Sequence, residues 1–217
     1  MISDNHFDLA AGEWDKNLLI VQRAEAIAKE IRKKIQPDSA YAALDFGSGT
    51  GLLSILLIDL FSHITLMDSS EEMTKVAKGK LRLSKIKHIH PVLFDLEKQD
   101  YTGKTFDVIY TQMALHHIAD IEKILNKFFK ILNPGGKLLL IDLYKEDGSF
   151  HDNGLLVHKG FDPVDLVEII RQKGFVNISH EKCYDITKTY ENGKTKKFPL
   201  FLISAEKHLH QTTIKQL

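Results

Sequence analysis

A glycine-rich run near residue 47 has the residue types expected at a ligand site. It reads DFGSGTG over residues 45–51 and lies between two apolar segments, residues 40–44 and 52–58. A strand, a glycine-rich turn and a helix form the first half of a βαβ unit. Glycine adopts positive φ without steric cost and lets a ligand approach the backbone, while the helix N-terminus attracts an anionic group. The run therefore predicts a nucleotide-type cofactor site at the carboxyl end of the first strand.

Two further acidic residues strengthen this interpretation. Asp68 follows the apolar run at residues 64–67, and Asp95 ends the run at residues 89–94. Carboxyl ends of strands are where open α/β sheets bind ligands. Helix packing or turn capping could explain each feature singly, but three in this order favour a cofactor site. The glycine spacing is G-x-G-x-G rather than the dinucleotide pattern G-x-G-x-x-G, which disfavours NAD.

With these residues the chain resembles the class I S-adenosylmethionine (SAM) dependent methyltransferases, in the small-molecule branch similar to the ubiquinone/menaquinone methyltransferases. The resemblance implies that the glycine loop lies under the methionine part of SAM. It also implies that Asp68 accepts from the ribose hydroxyls and that Asp95 meets the adenine amino group. The SAM site that it implies consists of Trp14, Asp45, Phe46, Gly47, Ser48, Gly49, Gly51, Asp68, Ser69, Met73, Asp95, Leu96, Gln112 and Met113. Trp14 is interpreted either as a lid residue or as a half-buried anchor.

Histidines follow the fourth and fifth predicted strands, where the methyl group would point. His116 and His117 form a pair that is common in this branch, and His151 and His158 lie on the long polar segment after the fifth strand. Histidine can act as a base at neutral pH. His117, His151 and His158 are therefore the substrate-side catalytic candidates, with lining, capping or packing as the alternative. Two spaced histidines could hold a metal, but no third ligand is evident, so no metal site is predicted.

The remaining pattern predicts the elements that must position these residues. Apolar residues at helical spacing predict a helix from about Lys16 to Pro37, and strands and helices then alternate, which indicates a parallel sheet. A final pair of strands, joined around Asn192 and Gly193, gives a hairpin signal. The predicted strands after the first cover residues 64–67, 89–94, 106–110, 137–143, 175–181 and 199–206.

The predicted fold is thus α/β: a three-layer, Rossmann-like, seven-stranded, mostly parallel sheet with a final antiparallel strand pair. The resemblance covers nearly the whole chain. It predicts a single methyltransferase domain over residues 1–217, with residues 1–36 as an N-terminal cap segment and residues 144–162 as an acceptor-side loop.

Composition narrows the class of protein. The 29 basic and 29 acidic residues balance, which argues mildly against a nucleic-acid partner. The single cysteine, Cys183, excludes an intramolecular disulfide and gives no sign of an oxidising compartment. Neither a membrane span nor a signal peptide is evident, so a cytoplasmic protein is expected. The sequence leaves the oligomeric state open.

The acceptor is approached by exclusion. Residues 111–114, TQMA, lack both the Asn/Asp-Pro-Pro-aromatic run of amino-group methylases and the acid of the metal-dependent catechol type. Base-carbon RNA methylases need a cysteine nucleophile near the cleft, whereas Cys183 lies far along the chain. A small organic acceptor, methylated at O, N or C, is the first hypothesis. A SAM-binding regulatory or adaptor protein without turnover is the alternative. A nicotinamide dehydrogenase is the third hypothesis, and the glycine spacing and Asp95 disfavour it.

Overall fold

The computed structural model of the chain describes residues 3–151, 158–190 and 193–209. Its helices are α1 (Ser3–Ala10), α2 (Leu18–Lys34), α3 (Leu52–Leu56), α4 (Glu71–Leu83), α5 (Ile121–Ile131) and α6 (Pro163–Gln172). Its strands are β1 (Asp38–Phe46), β2 (Phe61–Asp68), β3 (Ile89–Leu93), β4 (Phe106–Gln112), β5 (Leu132–Leu143), β6 (Phe175–Thr189) and β7 (Thr195–Lys207). Short 3₁₀ helices cover Ala11–Lys16, Ile58–Leu60 and Leu115–His117.

One seven-stranded sheet has the order β3-β2-β1-β4-β5-β7-β6. The strands β1 to β5 pair in parallel, and β7 is antiparallel to both β5 and β6. This confirms the predicted fold class. Between β1 and β4 the strand order reverses direction, and a crevice opens at the carboxyl ends of strands at such a switch point.

The apolar core forms two layers because successive side chains of a strand point to opposite faces. On β5, Leu139 and Ile141 belong to the cluster that contains the α2 residue Ile27. The neighbouring Leu138 belongs to the other cluster, which contains the α5 residue Phe128. Helices therefore cover both faces of the sheet, as three layers require.

Polar side chains fix where the helices begin. Asn17, Ser70, Asp120 and Asp162 each precede a helix and accept a hydrogen bond from a backbone N–H of its first turn. These are the residue types that satisfy the unpaired donors of a helix N-terminus. The start of α4 beside Asp68 is therefore set locally, and this start forms part of the cavity described below.

Several element boundaries differ from the prediction. The segment after the glycine run, predicted as one helix over residues 52–58, forms α3 and then a 3₁₀ turn. The final strands are longer than predicted because β6 and β7 pair, with two shifts of register, out to Thr189 and Thr195. The polar composition of these outer residues conceals the strand in the sequence. Residues 152–157 of the acceptor-side loop and Asn192 of the hairpin lie outside the described residues. Among the described helices, none combines the length and the apolar character needed to cross a bilayer.

Gly51 supplies a test of the junction between the glycine run and α3. Its φ is +75°, and an added Cβ would lie 2.5 Å from Leu66 Cδ1 on β2. We expect Gly51→Ala to lower the free energy of unfolding by about 1–3 kcal/mol, because the left-handed backbone and the contact with Leu66 both oppose a side chain.

Gly79 is the matched control for this experiment. It lies inside α4 with no atom within 4 Å of an added Cβ. Gly79→Ala should be neutral or stabilising by about 0.5–1 kcal/mol. Denaturant unfolding monitored by circular dichroism measures both changes, and equal stability of the two variants would contradict the packing described here.

Candidate active site

A cavity of about 350 Å³ opens at the carboxyl ends of the central strands. Its volume lies within the range of small-molecule sites. Most of the predicted site residues line it: Trp14, Asp45, Phe46, Gly47, Ser48, Gly49, Asp68, Ser69, Met73, Asp95, Leu96, Gln112, Met113, His117 and His151. The fold thus brings together residues that are up to 137 positions apart, from 14 to 151, around one space.

Gly51 and His158 are the two predicted residues that do not line the cavity. Gly51 lies against Leu66 at the start of α3. The backbone N–H of His158 donates to His116 O at 2.8 Å, and its ring nitrogen Nε2 lies 2.9 Å from Ile118 O. The contacts of His158 therefore tie the chain at this residue, after β5, to the segment after β4.

The glycine loop is held by backbone hydrogen bonds and by one carboxylate. Gly47 N donates to Met67 O on β2 at 2.9 Å. An added Cβ on Gly47 would lie 2.3 Å from the Ala114 Cβ, so the loop touches the segment after β4. Asp68 accepts from Gly49 N at 2.6 Å and from Ser70 N at 2.8 Å. Asp68 therefore ties the loop to the end of β2.

Asp68 keeps hydrogen-bonding capacity toward the cavity. Burial raises the pKa of this carboxyl, while the backbone donors of Ser70 and Gly49 act in the opposite direction. Each carboxylate oxygen accepts one of these two bonds, and a carboxylate has about four acceptor sites in total. A ligand hydroxyl can therefore still donate to Asp68.

Asp45 lies below the loop and is only 2% exposed. It accepts a 2.6 Å hydrogen bond from the Ser54 hydroxyl, whose oxygen lies 2.6 Å from the Tyr110 hydroxyl. Burial raises the pKa of Asp45 to about 7, although the Ser54 hydrogen bond favours the ionised form. A cation bound in the cavity would stabilise the Asp45 carboxylate.

Asp95 carries the third acidic group of the cavity wall. Burial would raise its pKa, but the Lys98 ammonium at 2.6 Å and the backbone N–H groups of Lys98 and Glu97 outweigh burial, so the pKa lies below its usual value. Asp95 is therefore ionised at neutral pH.

The N-terminal segment lies across the cavity. Asp15 accepts from the Thr50 hydroxyl at 2.6 Å and forms an ion pair with Lys80 of α4. The ring of Phe7 makes edge contacts with Trp14 and with His117, at centroid distances of 6.0 and 5.0 Å. Trp14 is half-buried and lines the cavity, so its position fits both the lid and the anchor interpretations.

Three histidine rings meet on the other side of the cavity. Ring centroids of His116 lie 4.2 Å from His117 and 4.9 Å from His151, and the latter two lie 5.2 Å apart. Met113, with a φ of +56°, turns the chain after β4 into the short helix that presents two of these rings. A strained backbone of this kind is concentrated at functional sites.

The sequence did not indicate Arg23 and Asp142 as residues of this region, and it indicated His116 only as one member of a histidine pair. Asp142 is fully buried at the end of β5 and lies 2.6 Å from His116 Nδ1. The Arg23 side chain lines the cavity from α2, and its Nε is buried with no hydrogen-bond partner among the described residues. Burial lowers the pKa of Arg23 to about 10, although the nearby Asp142 charge acts in the opposite direction. Arg23 therefore stays charged at neutral pH. The position of His116 next to His117 was the one signal in the sequence for these residues. Arg23 has no such signal, because it resembles any polar residue of an amphipathic helix.

The cavity therefore has two chemically different sides. Carboxylates of Asp45, Asp68 and Asp95 border the side formed by β1 to β3. Imidazoles and the Arg23 guanidinium border the side formed by α2, the end of β4 and the loop after β5. Such a site can hold a hydroxyl-bearing cation on one side and a second reactant on the other.

Sequence relatives with curated names are methyltransferases. An uncharacterised methyltransferase of Schizosaccharomyces pombe is 31% identical over 155 residues, which are 64% of this chain and 55% of that protein. A ubiquinone/menaquinone biosynthesis C-methyltransferase of Vibrio vulnificus is 33% identical over 106 residues, covering 47% and 41% of the two chains. Phosphoethanolamine N-methyltransferase 2 of Caenorhabditis elegans is 24% identical over 209 residues, 94% of this chain and 43% of that protein. The chain spans about half the length of these relatives or less.

Solved structures share the fold. Phosphoethanolamine N-methyltransferase 2 of Haemonchus contortus, in complex with S-adenosyl-L-methionine, aligns with a TM-score of 0.68 at 18% identity, over 84% of this chain and 52% of that one. The [4+2]-cyclase SpnF aligns with a TM-score of 0.70 at 16% identity, over 87% and 83%. At these identities the likeness concerns the fold alone.

The sequence model that describes a methyltransferase domain matches residues 20–180, well over half of the 217 residues. This range contains the glycine run, the three acids and all three clustered histidines. The chain therefore belongs to the methyltransferase domain family.

Proposed function

We propose that this chain is a SAM-dependent methyltransferase that acts on a small organic acceptor carrying an acidic group. The observation that carries the proposal is the shared cavity, in which the glycine loop and Asp68 face a cluster of histidines and Arg23. The names of the relatives favour a small acceptor, because one relative acts in the biosynthesis of ubiquinone and menaquinone and another is named for phosphoethanolamine.

The residues on the acidic side fit SAM. An added Cβ on Gly49 would meet only Met73 Sδ, at 3.9 Å, so the backbone of the loop borders open space where a ligand can lie against it. Asp68 can accept from ribose hydroxyls, and we assign Asp95, which lines the cavity just after β3, to the adenine edge. When bound, SAM supplies a methyl group that its sulfonium already activates, and the positive charge suits the three carboxylates.

The chain's own contribution is orientation and exclusion of water. Phe7, Trp14 and Ile20 reach the cavity from the N-terminal segment, and Phe150 reaches it from the loop after β5. Enclosing the reactants between apolar groups fixes their approach and removes competing water. We assign residues 1–36 as the cap and residues 144–162 as the acceptor-side loop of a single domain on this basis.

The acceptor binds on the histidine side. His117 and His151 line the cavity there, beside the position of its reacting atom, while His158 positions the loop through its bonds to His116 O and Ile118 O. Arg23 supplies a buried positive charge beside them, which an acidic group of the acceptor would pair with.

Cofactor binding gives the first test of this function. We expect SAM to bind with a dissociation constant in the micromolar range or tighter and NAD not to bind, as measured by calorimetry. Asp68→Ala should weaken SAM binding by about 2–4 kcal/mol, roughly 30- to 1,000-fold, because it removes a charge-assisted acceptor and loosens the glycine loop.

Asp59→Ala is the control for Asp68. Asp59 pairs with Arg32 on the surface and does not line the cavity, so this variant should bind SAM as the unchanged protein does. Binding of NAD without SAM, or an unaltered affinity in Asp68→Ala, would contradict the assigned cofactor side.

The acceptor side is tested with His151→Ala. We expect turnover to fall by about 10²–10⁴-fold while the dissociation constant of SAM stays within twofold, because the imidazole lies on the histidine side of the cavity. Formation of S-adenosylhomocysteine from SAM in the presence of a metabolite extract measures turnover. His180→Ala on the exposed face of β6 is the control.

Two results would contradict that assignment. Equal turnover in His151→Ala and His180→Ala would remove His151 from the acceptor side. SAM binding without S-adenosylhomocysteine formation in any fraction of the extract would favour the regulatory protein without turnover.

Arg23→Met tests the acidic group. We expect label from methyl-labelled SAM to appear in products retained by an anion exchanger, and Arg23→Met to lower that transfer about 10- to 100-fold at low acceptor concentration. Arg32→Met on the same helix, whose side chain pairs with surface Asp59, should leave it unchanged. A loss of SAM affinity in Arg23→Met would instead assign Arg23 to the carboxylate of the cofactor.

A further inference from the structure

The three clustered histidines have the arrangement of metal ligands. One ring nitrogen from each of His116, His117 and His151 lies within 4.8 Å of the other two. His116 Nε2, His117 Nδ1 and His151 Nε2 are buried from solvent. Of these three rings, His117 and His151 are also catalytic candidates from the sequence, and His116 completes the cluster.

The hydrogen bonds of Asp142 fix the tautomer of His116. The Asp142 carboxylate accepts from the backbone N–H groups of His116, at 3.1 Å, and Leu143, at 2.7 Å, and lies 2.6 Å from His116 Nδ1. Carboxylate oxygens are acceptors, so Nδ1 is the ring nitrogen that donates to Asp142. The other ring nitrogen, Nε2, has no hydrogen-bond partner within the part of the chain that the structure describes, so it is the atom available to a metal.

This is the arrangement of a histidine that binds a metal. A ligating imidazole usually donates its other N–H to a carboxylate, which orients the ring and raises its basicity. Two nitrogens bound to a tetrahedral zinc ion at about 2.0–2.1 Å lie about 3.3 Å apart. Modest side-chain rotations of His117 and His151, which are only partly buried, bring nitrogens now within 4.8 Å to that spacing.

We propose that His116, His117 and His151 bind one divalent transition-metal ion of the zinc class, with Asp142 as the carboxylate that orients His116. Three imidazoles suit zinc, and three protein ligands leave a fourth position open, as catalytic zinc sites do. The open fourth position would face the cavity, next to Arg23.

The use of this metal rests on the proposed methyltransferase function, whereas its binding does not. In the open position the ion coordinates a hydroxyl or thiol of the acceptor. The O–H or S–H bond breaks and the proton passes to solvent, because the ion lowers the pKa of the bound group. The electron pair that is left forms the bond to the methyl carbon, the carbon–sulfur bond of SAM breaks, and its electron pair stays on sulfur.

Metal binding is measured on the untagged full chain after removal of metals with a chelator, in the absence of SAM. Titration with Zn²⁺ by calorimetry, and with Co²⁺ by its visible absorption, should show about one equivalent bound below about 1 μM. His117→Ala and His151→Ala should each weaken binding about 100-fold or more, and Asp142→Asn about 10- to 100-fold, with a loss of the tetrahedral cobalt spectrum. Melting of the metal-free variants checks that each one folds.

His63→Ala is the matched control. His63 on β2 and His90 on β3 stack with ring centroids 4.2 Å apart, and they do not line the cavity. The His63→Ala variant should still bind one equivalent of metal with the affinity of the wild-type chain. The proposed site would be wrong if the wild-type chain bound no metal ion with high affinity. It would also be wrong if His63→Ala lost this binding while His117→Ala kept it.

The role in transfer is tested separately. Turnover should fall at least about tenfold after chelation and return with Zn²⁺, while SAM affinity stays the same in the metal-free protein. Full turnover of metal-free protein would overturn the role and leave the binding site intact. Failure of SAM to bind would overturn the proposed function without affecting the metal titration.

Discussion

Backbone N–H groups that need acceptors at the carboxyl ends of the strands are the constraint on which the site depends. Three carboxylates satisfy them: Asp68 at β2, Asp95 after β3 and Asp142 in β5. Burying a carboxylate is costly unless hydrogen bonds compensate for lost water, and each of these accepts at least two from backbone N–H groups. The same bonds fix the glycine loop, the turn after β3 and the segment that carries His116. The same hydrogen bonds therefore position the residues of the site and stabilise the turns at the carboxyl ends of the strands.

The N-terminal segment contacts the same end of the sheet but is held more weakly. Asp15 accepts from the Thr50 hydroxyl and pairs with Lys80, and Asp8 accepts from the Ser70 hydroxyl. The partly exposed ion pair between Asp15 and Lys80 contributes about 0–1 kcal/mol. These few contacts, together with the edge contacts of Phe7, hold the segment beside the cavity.

Local sequence signals predicted the acidic side of the cavity far better than the histidine side. The glycine run and the acids Asp68 and Asp95 follow strands directly, so the strand order alone brings them together. Arg23 and Asp142 are positioned by packing of α2 and β5, which no local pattern records. His158 was expected to face the acceptor, yet its backbone and ring contact the segment after β4. The proximity of His116 to His151 exists only in the folded chain, so the sequence could not indicate the cluster of three histidines.

The fold itself leaves the reaction open, since a [4+2]-cyclase shares it with methyltransferases. The division of charge within the cavity is more informative. Carboxylates border one side and imidazoles with a guanidinium border the other, so a cationic ligand and an anionic ligand are each favoured on a different side. Their mutual attraction would align the reacting atoms across the cavity, where apolar groups exclude water and strengthen it. Transfer of a methyl group from a cation to an electron-rich acceptor meets these conditions. The transfer removes the positive charge of the donor, whereas the acidic group that pairs with Arg23 keeps its charge. The carboxylate side would therefore hold the charged donor more tightly than the neutral product that remains of it.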